Sequence, residues 1–75
     1  MEPNIIRFRI ALGARARKLR TSCGVTLADC SRETGLSEPT LSRFERGETD
    51  ISLYHGEQLA RYFDVRLVDL IKGLI

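Results

Sequence analysis

The first twenty-two residues carry apolar side chains at spacings of three and four, which is typical of a helix with one buried face. We expect this helix to begin at Asn4, as its N-cap, and to end at about Ser22. Gly13 lies inside it and costs about 1 kcal/mol relative to Ala. A close contact with another helix would explain that glycine. The predicted buried face consists of Ile5, Phe8, Leu12, Ala16, Leu19 and Cys23.

Two short helices joined by a tight turn are predicted between residues 26 and 46. Thr26 is placed to cap the first helix, with Asp29 three residues later in a capping-box relation. Gly35 suits a turn that needs positive φ, and Ser37 is placed to cap the second helix. Such a pair presents its second helix to an outside surface, usually the major groove of DNA. The apolar residues that face a shared core are Cys30, Leu36, Leu41 and Phe44.

Two further helices follow the third, which we expect to end at Gly47. Ser52 is placed to cap the fourth helix, Gly56 weakens it, and Asp64 ends it. Its inward residues are predicted to be Leu53, Leu59, Ala60 and Phe63. The short fifth helix is marked by Val65, Leu67, Leu70, Ile71 and Leu74. Five helices in 75 residues leave no room for a sheet, so we predict an all-α, compact five-helix bundle. Residues 1–75 are expected to form one domain.

Charge is unevenly distributed along the chain, although its net charge is only +2. Residues 1–20 hold five arginines and a lysine against one glutamate. Residues 26–50 hold three arginines against six carboxylates, an acidic surplus in the segment expected to meet DNA. The charge pattern therefore leaves both nucleic acid and protein open as partners.

Several other classes of protein are disfavoured by the composition. No continuous apolar stretch resembles a secretory signal or a membrane span, so we expect a cytoplasmic protein with reduced thiols and no membrane partner. Cys23 and Cys30 are expected to be small core thiols, since together with His55 they are too few and too badly spaced for zinc. We find no phosphate loop or nucleophile–histidine set, and expect no enzyme, catalytic residue, cofactor or metal.

A set of short segments keeps a common register from about Leu12 to Leu70. They are Leu12-Gly13, Leu19-Arg20, Gly24-Val25-Thr26, Gly35-Leu36-Ser37, Thr40-Leu41-Ser42-Arg43-Phe44-Glu45-Arg46-Gly47, Ser52-Leu53, Leu59-Ala60 and Val65-Arg66-Leu67. In these segments the chain resembles the Cro/lambda-repressor-like helix-turn-helix domains, often called the XRE family. The resemblance implies five α-helices, dimeric DNA binding and transcriptional control, usually repression.

The resemblance also implies which residues meet DNA, because family members place the first turn of the third helix in the major groove. Arg43 has the fork for guanine O6 and N7 or for a phosphate, and Glu38 suits cytosine N4 but repels phosphate. Arg20 and Glu45 are implied to pair within the domain. The expected DNA-binding residues are Thr26, Ser37, Glu38, Pro39, Ser42, Arg43, Arg46 and Thr49.

Some positions depart from the family pattern. An exposed Leu27 stands where Gln often touches phosphate, and Glu48 stands where Lys or Arg is common. The apolar C-terminus either forms a dimer, which would place two third helices about 34 Å apart, or packs the fifth helix onto the first. Ile6 and Ile10 form a second apolar stripe, which is either a contact surface or two tolerated surface residues. The expected dimer residues are Leu70, Ile71, Leu74 and Ile75.

Two functions follow from these patterns. The leading one is a sequence-specific DNA-binding transcriptional regulator, a dimeric repressor that reads the major groove of double-stranded DNA with its third helix. The alternative is a helix-turn-helix fold diverted to protein binding, as an anti-activator or antitoxin-like partner. That alternative would use Leu27 or the Ile6/Ile10 stripe as apolar anchors.

Overall fold

The computed structural model describes residues 3–74, and within them it contains five α-helices and no strand. The helices are α1 (Pro3–Ser22), α2 (Leu27–Thr34), α3 (Glu38–Glu45), α4 (Leu53–Tyr62) and α5 (Leu67–Ile71). The all-α prediction is confirmed. Asn4 lies in the first turn of α1 rather than at its N-cap, because the helix already begins at Pro3. None of the described helices is both long enough and apolar enough to cross a bilayer.

The core lies where α1, α2, α3 and α4 meet. α1 packs against α3 and α5, α2 packs against α3 and α4, and α4 packs against α5. Cys30, Leu41 and Leu59 are the largest fully buried side chains among the described residues. Burial raises the pKa of the Cys30 thiol to about 11, so this cysteine is an inert core residue.

Gly13 marks the closest approach of α1 to α3. A Cβ atom at this position would lie 2.2 Å from the carbonyl oxygen of Phe44 and 2.7 Å from that of Glu45. These distances are far inside ordinary van der Waals separation, so a side chain cannot be placed there without moving backbone. The close helix contact expected at this glycine is confirmed.

Several residues predicted to be inside are exposed. α1 has 20 residues and therefore spans about 30 Å, so residues near its ends lie about two helical turns or more from Gly13, where α3 crosses it. Ile5 is consequently 45% exposed, and Cys23 is exposed in the turn after α1 instead of buried as a core thiol. Leu53 is 81% exposed, because it is the first residue of α4 and lies at the edge of the bundle.

The boundaries of two further helices, α3 and α5, differ from the predicted ones. α3 ends at Glu45, and Gly47 with φ 76° turns the chain two residues later. α5 is shorter than predicted, since Val65 and Leu74 lie outside it. α4 runs through Gly56 without interruption, and Leu67 Cδ1 lies 3.3 Å from the position of the missing Cβ. The glycine therefore lets α5 approach α4 closely.

The fifth helix is held against the first within one chain. The Arg15 guanidinium donates to the carbonyl oxygens of Asp69 and Leu70, each at 3.4 Å, and to that of Lys72. These carbonyls lie at the C-terminal end of α5, where a cation is favourable. Leu70 is only 2% exposed, so its side chain packs inside this chain and is not presented to a second copy. Ile75 lies outside the described residues.

Candidate nucleic-acid interface

The first helix of the pair, α2, begins with the predicted capping box. The Asp29 N–H donates to Thr26 Oγ1 at 3.1 Å, and the Thr26 N–H donates to the Asp29 carboxylate at 3.0 Å. The bond from Thr26, with a further one from Arg32 at 2.8 Å, holds the pKa of Asp29 below its ordinary value. Gly35 follows the helix with φ 80°, and its N–H donates to the Ser31 carbonyl at 3.0 Å. The turn chemistry predicted from the sequence is confirmed.

The second helix, α3, is fixed at its start by Ser37. The Ser37 hydroxyl oxygen accepts from the Thr40 N–H at 3.2 Å, and the hydroxyl donates to Thr40 Oγ1 at 2.8 Å. Leu41 and Phe44 are buried on the inner side of the helix. The outer side presents five of the predicted DNA-binding residues, of which Ser42 is half-buried and the others are exposed: Glu38, Pro39, Ser42, Arg43 and Arg46.

The orientation of α3 is set by a bidentate ion pair to α1. Arg20 Nε lies 2.7 Å from Glu45 Oε2, and Arg20 Nη2 lies 3.0 Å from Glu45 Oε1. A further bond joins Arg20 Nη1 to the Val25 carbonyl at 3.0 Å, in the turn that leads into α2. The two side chains are only 13% and 8% exposed. The intradomain pairing implied by the resemblance is confirmed, and these two residues are unavailable to DNA.

Ion pairing greatly changes the charge balance of the segment from residue 26 to residue 50. Of its six carboxylates, four are paired with arginines within 4 Å: Asp29 with Arg32, Glu45 with Arg20, Glu48 with Arg46, and Asp50 with Arg9. Glu33 lies beside Arg61 and Tyr62, on the side of α2 that faces α4. Glu38 is therefore the unpaired carboxylate on α3, and Arg43 makes no hydrogen bond or ion pair with the described residues. Two of these arginines, Arg9 and Arg20, come from α1, so pairing offsets two of the three surplus negative charges counted from the sequence.

The remaining predicted contacts lie on different elements. Thr26 is the N-cap of α2. Thr49 is half-buried in the loop after α3, where its hydroxyl donates to the Asp50 carbonyl at 3.4 Å. Arg46 is exposed but engaged, because its Nε lies 2.7 Å from Glu48 Oε2. Leu27 is half-buried and packs against the core, so its predicted exposure is wrong.

Some contacts that shape this surface were missed from the sequence. The Arg9–Asp50 pair, with Nη2 and Oδ2 2.6 Å apart, joins α1 to the loop after α3 across 41 positions of sequence. No local pattern signals such a pair. The pairing of Arg46 with Glu48, by contrast, was detectable as opposite charges two residues apart beside a turn glycine.

Comparison with known proteins identifies the family that shares this architecture. The profile of a family described as a helix-turn-helix domain matches residues 11–71. The chain belongs to this helix-turn-helix family. The solved structures that it resembles are of the Cro/lambda-repressor-like, or XRE, type, as the sequence predicted.

Three relatives illustrate the similarity. The chain is 37% identical to the HTH-type transcriptional regulator DdrOP3 of Deinococcus deserti over 60 residues, which are 80% of this chain and 46% of that protein. It therefore spans less than half the length of this relative. The restriction-modification controller protein C.AhdI from Aeromonas hydrophila superposes with a TM-score of 0.77 at 30% identity, covering 81% of this chain and 92% of C.AhdI. The clp gene regulator ClgR from Corynebacterium glutamicum gives a TM-score of 0.83 at 28% identity, covering 89% and 71%.

Proposed function

We propose that this chain is a sequence-specific DNA-binding transcriptional regulator, a dimeric repressor that reads the major groove with α3. The observation that carries the proposal is the outer face of α3. There Arg43 is exposed and makes no side-chain hydrogen bond or ion pair with the described residues, on a helix held in place by the buried Arg20–Glu45 pair. A guanidinium left without an internal partner is available for guanine O6 and N7. The regulators named above support this assignment.

The other residues of the interface have distinct proposed roles. Glu38 accepts from cytosine N4 and disfavours other bases, and Pro39 offers an apolar contact to a thymine methyl group. Thr26, Ser37 and Thr49 lie beside phosphates, where they fix the register of the protein on the duplex. Because most carboxylates of the segment are internally paired, Glu38 is the principal electrostatic cost of approach on α3.

The dimer is proposed to use the outer surface of α5. Leu70 is buried and cannot take part, whereas Ile71 and Leu74 are half-buried. Val68 on α5 and Leu53 on α4 add exposed apolar surface that the sequence did not assign to this role. Two copies related by a twofold axis would cover these side chains and place two α3 helices about 34 Å apart, one turn of DNA.

The proposal is tested by DNA binding measured with fluorescence anisotropy. A duplex is first selected from a randomised pool by the wild-type chain, and affinity is then measured across salt concentrations. We expect Arg43→Ala to lose about 1–3 kcal/mol and to relax preference at one base pair. Arg61→Ala is the matched control, since Arg61 is exposed on α4, and it should leave affinity unchanged. Wild-type affinity no tighter than about 10⁻⁵ M at low salt, without sequence preference, would refute the proposal.

The protein-binding alternative keeps one of its two anchors. Leu27 is committed to the core, whereas Ile6 and Ile10 are both more than 40% exposed on one side of α1. If this stripe binds a protein, Ile6→Gln combined with Ile10→Gln should abolish capture of that partner while leaving DNA affinity unchanged. A clear DNA footprint together with no captured partner would eliminate the alternative.

A further inference from the structure

Ser42, Arg46 and Glu48 form a hydrogen-bonded chain along the C-terminal half of α3. Glu48 Oε2 accepts from Arg46 Nε at 2.7 Å, and Glu48 Oε1 accepts from Arg46 Nη2 at 3.4 Å. On its other side the same guanidinium donates from Nη1 to Ser42 Oγ. Arg46 is thus held at both ends, by a carboxylate and by a hydroxyl oxygen.

The position of Glu48 is fixed by the backbone as well as by its side chain. Gly47 turns the chain back over the last turn of α3, where the Glu48 N–H donates to the Arg43 carbonyl at 2.9 Å. A Cβ at Gly47 would lie 2.7 Å from the Ile10 Cα, so this turn is pressed against α1. Arg46, with a smaller contribution from Arg43, also holds the pKa of Glu48 below its ordinary value. Glu48 therefore remains ionised and in place at neutral pH.

The hydrogen bond from Arg46 determines whether the Ser42 hydroxyl can donate within the protein. A guanidinium has donors only, so Ser42 Oγ accepts from Arg46 and its own proton must go elsewhere. The hydroxyls of Thr21 and Thr34 donate to the carbonyl four residues earlier, at 3.0 and 2.7 Å. The Ser42 hydroxyl makes no such bond to any residue in the range that the structure describes. The Ser42 hydroxyl proton is therefore available to an acceptor on a bound molecule, on the same face of α3 as Arg43.

We propose that Glu48 is a positioning residue for base recognition, which acts through Arg46 to aim the Ser42 hydroxyl at a hydrogen-bond acceptor on a base edge. The inference rests on the proposed DNA-binding function and deepens it. In the major groove the acceptors are purine N7, guanine O6 and thymine O4. Glu48 also keeps Arg46 from neutralising a phosphate. As a result, the sequence-independent affinity for DNA is reduced, while the preference for one base pair is kept.

The two effects of Glu48 are separable by substitution. Glu48→Met removes both the charge and the acceptor, so Arg46 is released and Ser42 loses its orientation. Discrimination at one base pair should then fall about three- to tenfold, the range of one neutral hydrogen bond. Glu48→Gln removes the charge but keeps an acceptor for Arg46, so it should restore most of that discrimination. Glu48→Met should also bind all duplexes more tightly at low salt, with a salt slope steeper by about 0.9, because the released Arg46 neutralises one more phosphate. Glu48→Gln keeps Arg46 in place, so its salt slope should change less.

The experiment measures dissociation constants by anisotropy for the duplex selected by the wild type and for its single-base-pair variants. The proteins are the wild type, Ser42→Ala, Glu48→Met, Glu48→Gln and the double variant Ser42→Ala/Glu48→Met. Glu57→Met is the matched control, because Glu57 pairs with Arg61 on α4 at 3.8 Å. Circular dichroism verifies that each variant is folded.

We expect Ser42→Ala and Glu48→Met to lose discrimination at the same base pair, and the double variant to lose no more than either. Glu57→Met should leave discrimination unchanged. The inference is overturned, with the DNA-binding function intact, if Glu48→Met alters affinity equally for all duplexes or affects a different base pair from Ser42→Ala. If the wild type selects no sequence at all, the proposed function fails and this inference fails with it.

Discussion

Gly13 offers the sharpest test of how α3 is held in place. Replacing it with Ala adds one methyl group at the crossing of α1 and α3. The new carbon would lie 2.2 Å from the Phe44 carbonyl oxygen and 2.7 Å from that of Glu45. Both atoms belong to backbone, so no side-chain rotation relieves the overlap. The helices must move apart by about 1 Å to restore ordinary contact.

The expected cost combines two opposing effects. Ala is favoured over Gly inside a helix by about 1 kcal/mol, which stabilises α1. Forcing extra volume into a packed interface costs about 1–3 kcal/mol and sometimes more. We expect the overpacking cost of Gly13→Ala to reach or exceed about 3 kcal/mol, because the backbone atoms that the new methyl group meets cannot rotate away. The net loss should be about 2 kcal/mol.

Urea unfolding followed by circular dichroism measures this loss directly. Gly56→Ala is the matched control, because Gly56 also lies in a helix but the methyl would meet only the end of the Leu67 side chain, at 3.3 Å. That variant should change the free energy of unfolding by no more than about 1 kcal/mol in either direction, because the helix preference for Ala opposes a small displacement of the Leu67 side chain. If Gly13→Ala is as stable as the wild type, the crossing is looser than described and the reasoning is wrong.

Two further predictions concern charge. Glu45→Gln should lower the free energy of unfolding by about 2–3 kcal/mol, because it leaves the nearly buried Arg20 without a counter-charge. Glu57→Gln is the control, since Glu57 belongs to an exposed pair, and in the same urea titration it should lower the free energy of unfolding by less than about 1 kcal/mol. The melting temperature should fall as pH drops from about 5 to 3. A carboxylate whose pKa is lowered by folding stabilises the fold fully at pH values above its ordinary pKa, and this stabilisation is lost as pH falls through the lowered pKa. These carboxylates are Asp29, Glu48, Asp50 and Asp69. A melting temperature that does not change over this range would contradict their role.

Features specified by neighbouring residues were predictable from the sequence. The capping box of Thr26 and Asp29, the left-handed turn at Gly35 and the Ser37 cap each depend on residues within three positions of one another. The buried side chains of the paired helices followed from spacing, since an inward stripe needs no knowledge of what it packs against. The all-α fold and the place of α3 in it were therefore accessible before the structure.

Exposure at the ends of helices was not predictable in the same way. Spacing assigns a face to Ile5, Cys23 and Leu53, but it does not say whether another helix reaches that point. Conversely, Leu70 looked available for a partner because the sequence does not show that α5 folds back on α1. The carbonyl oxygens to which Arg15 donates lie 54 or more positions away in sequence, and these bonds hold the end of α5 against α1.

The charge of the candidate interface shows most clearly why counting residues in a segment misleads. Asp50 and Glu45 belong by sequence to the acidic stretch, yet their counter-charges, Arg9 and Arg20, come from α1. In the folded chain, two arginines of α1 therefore pair with carboxylates of the segment from residue 26 to residue 50. What an approaching phosphate meets on α3 is Glu38 at one end and Arg43 near the other, with Arg46 restrained by Glu48. Under the proposed function, such a surface binds DNA well only where Arg43 meets a matching base pair, which is the condition for sequence preference over general attraction.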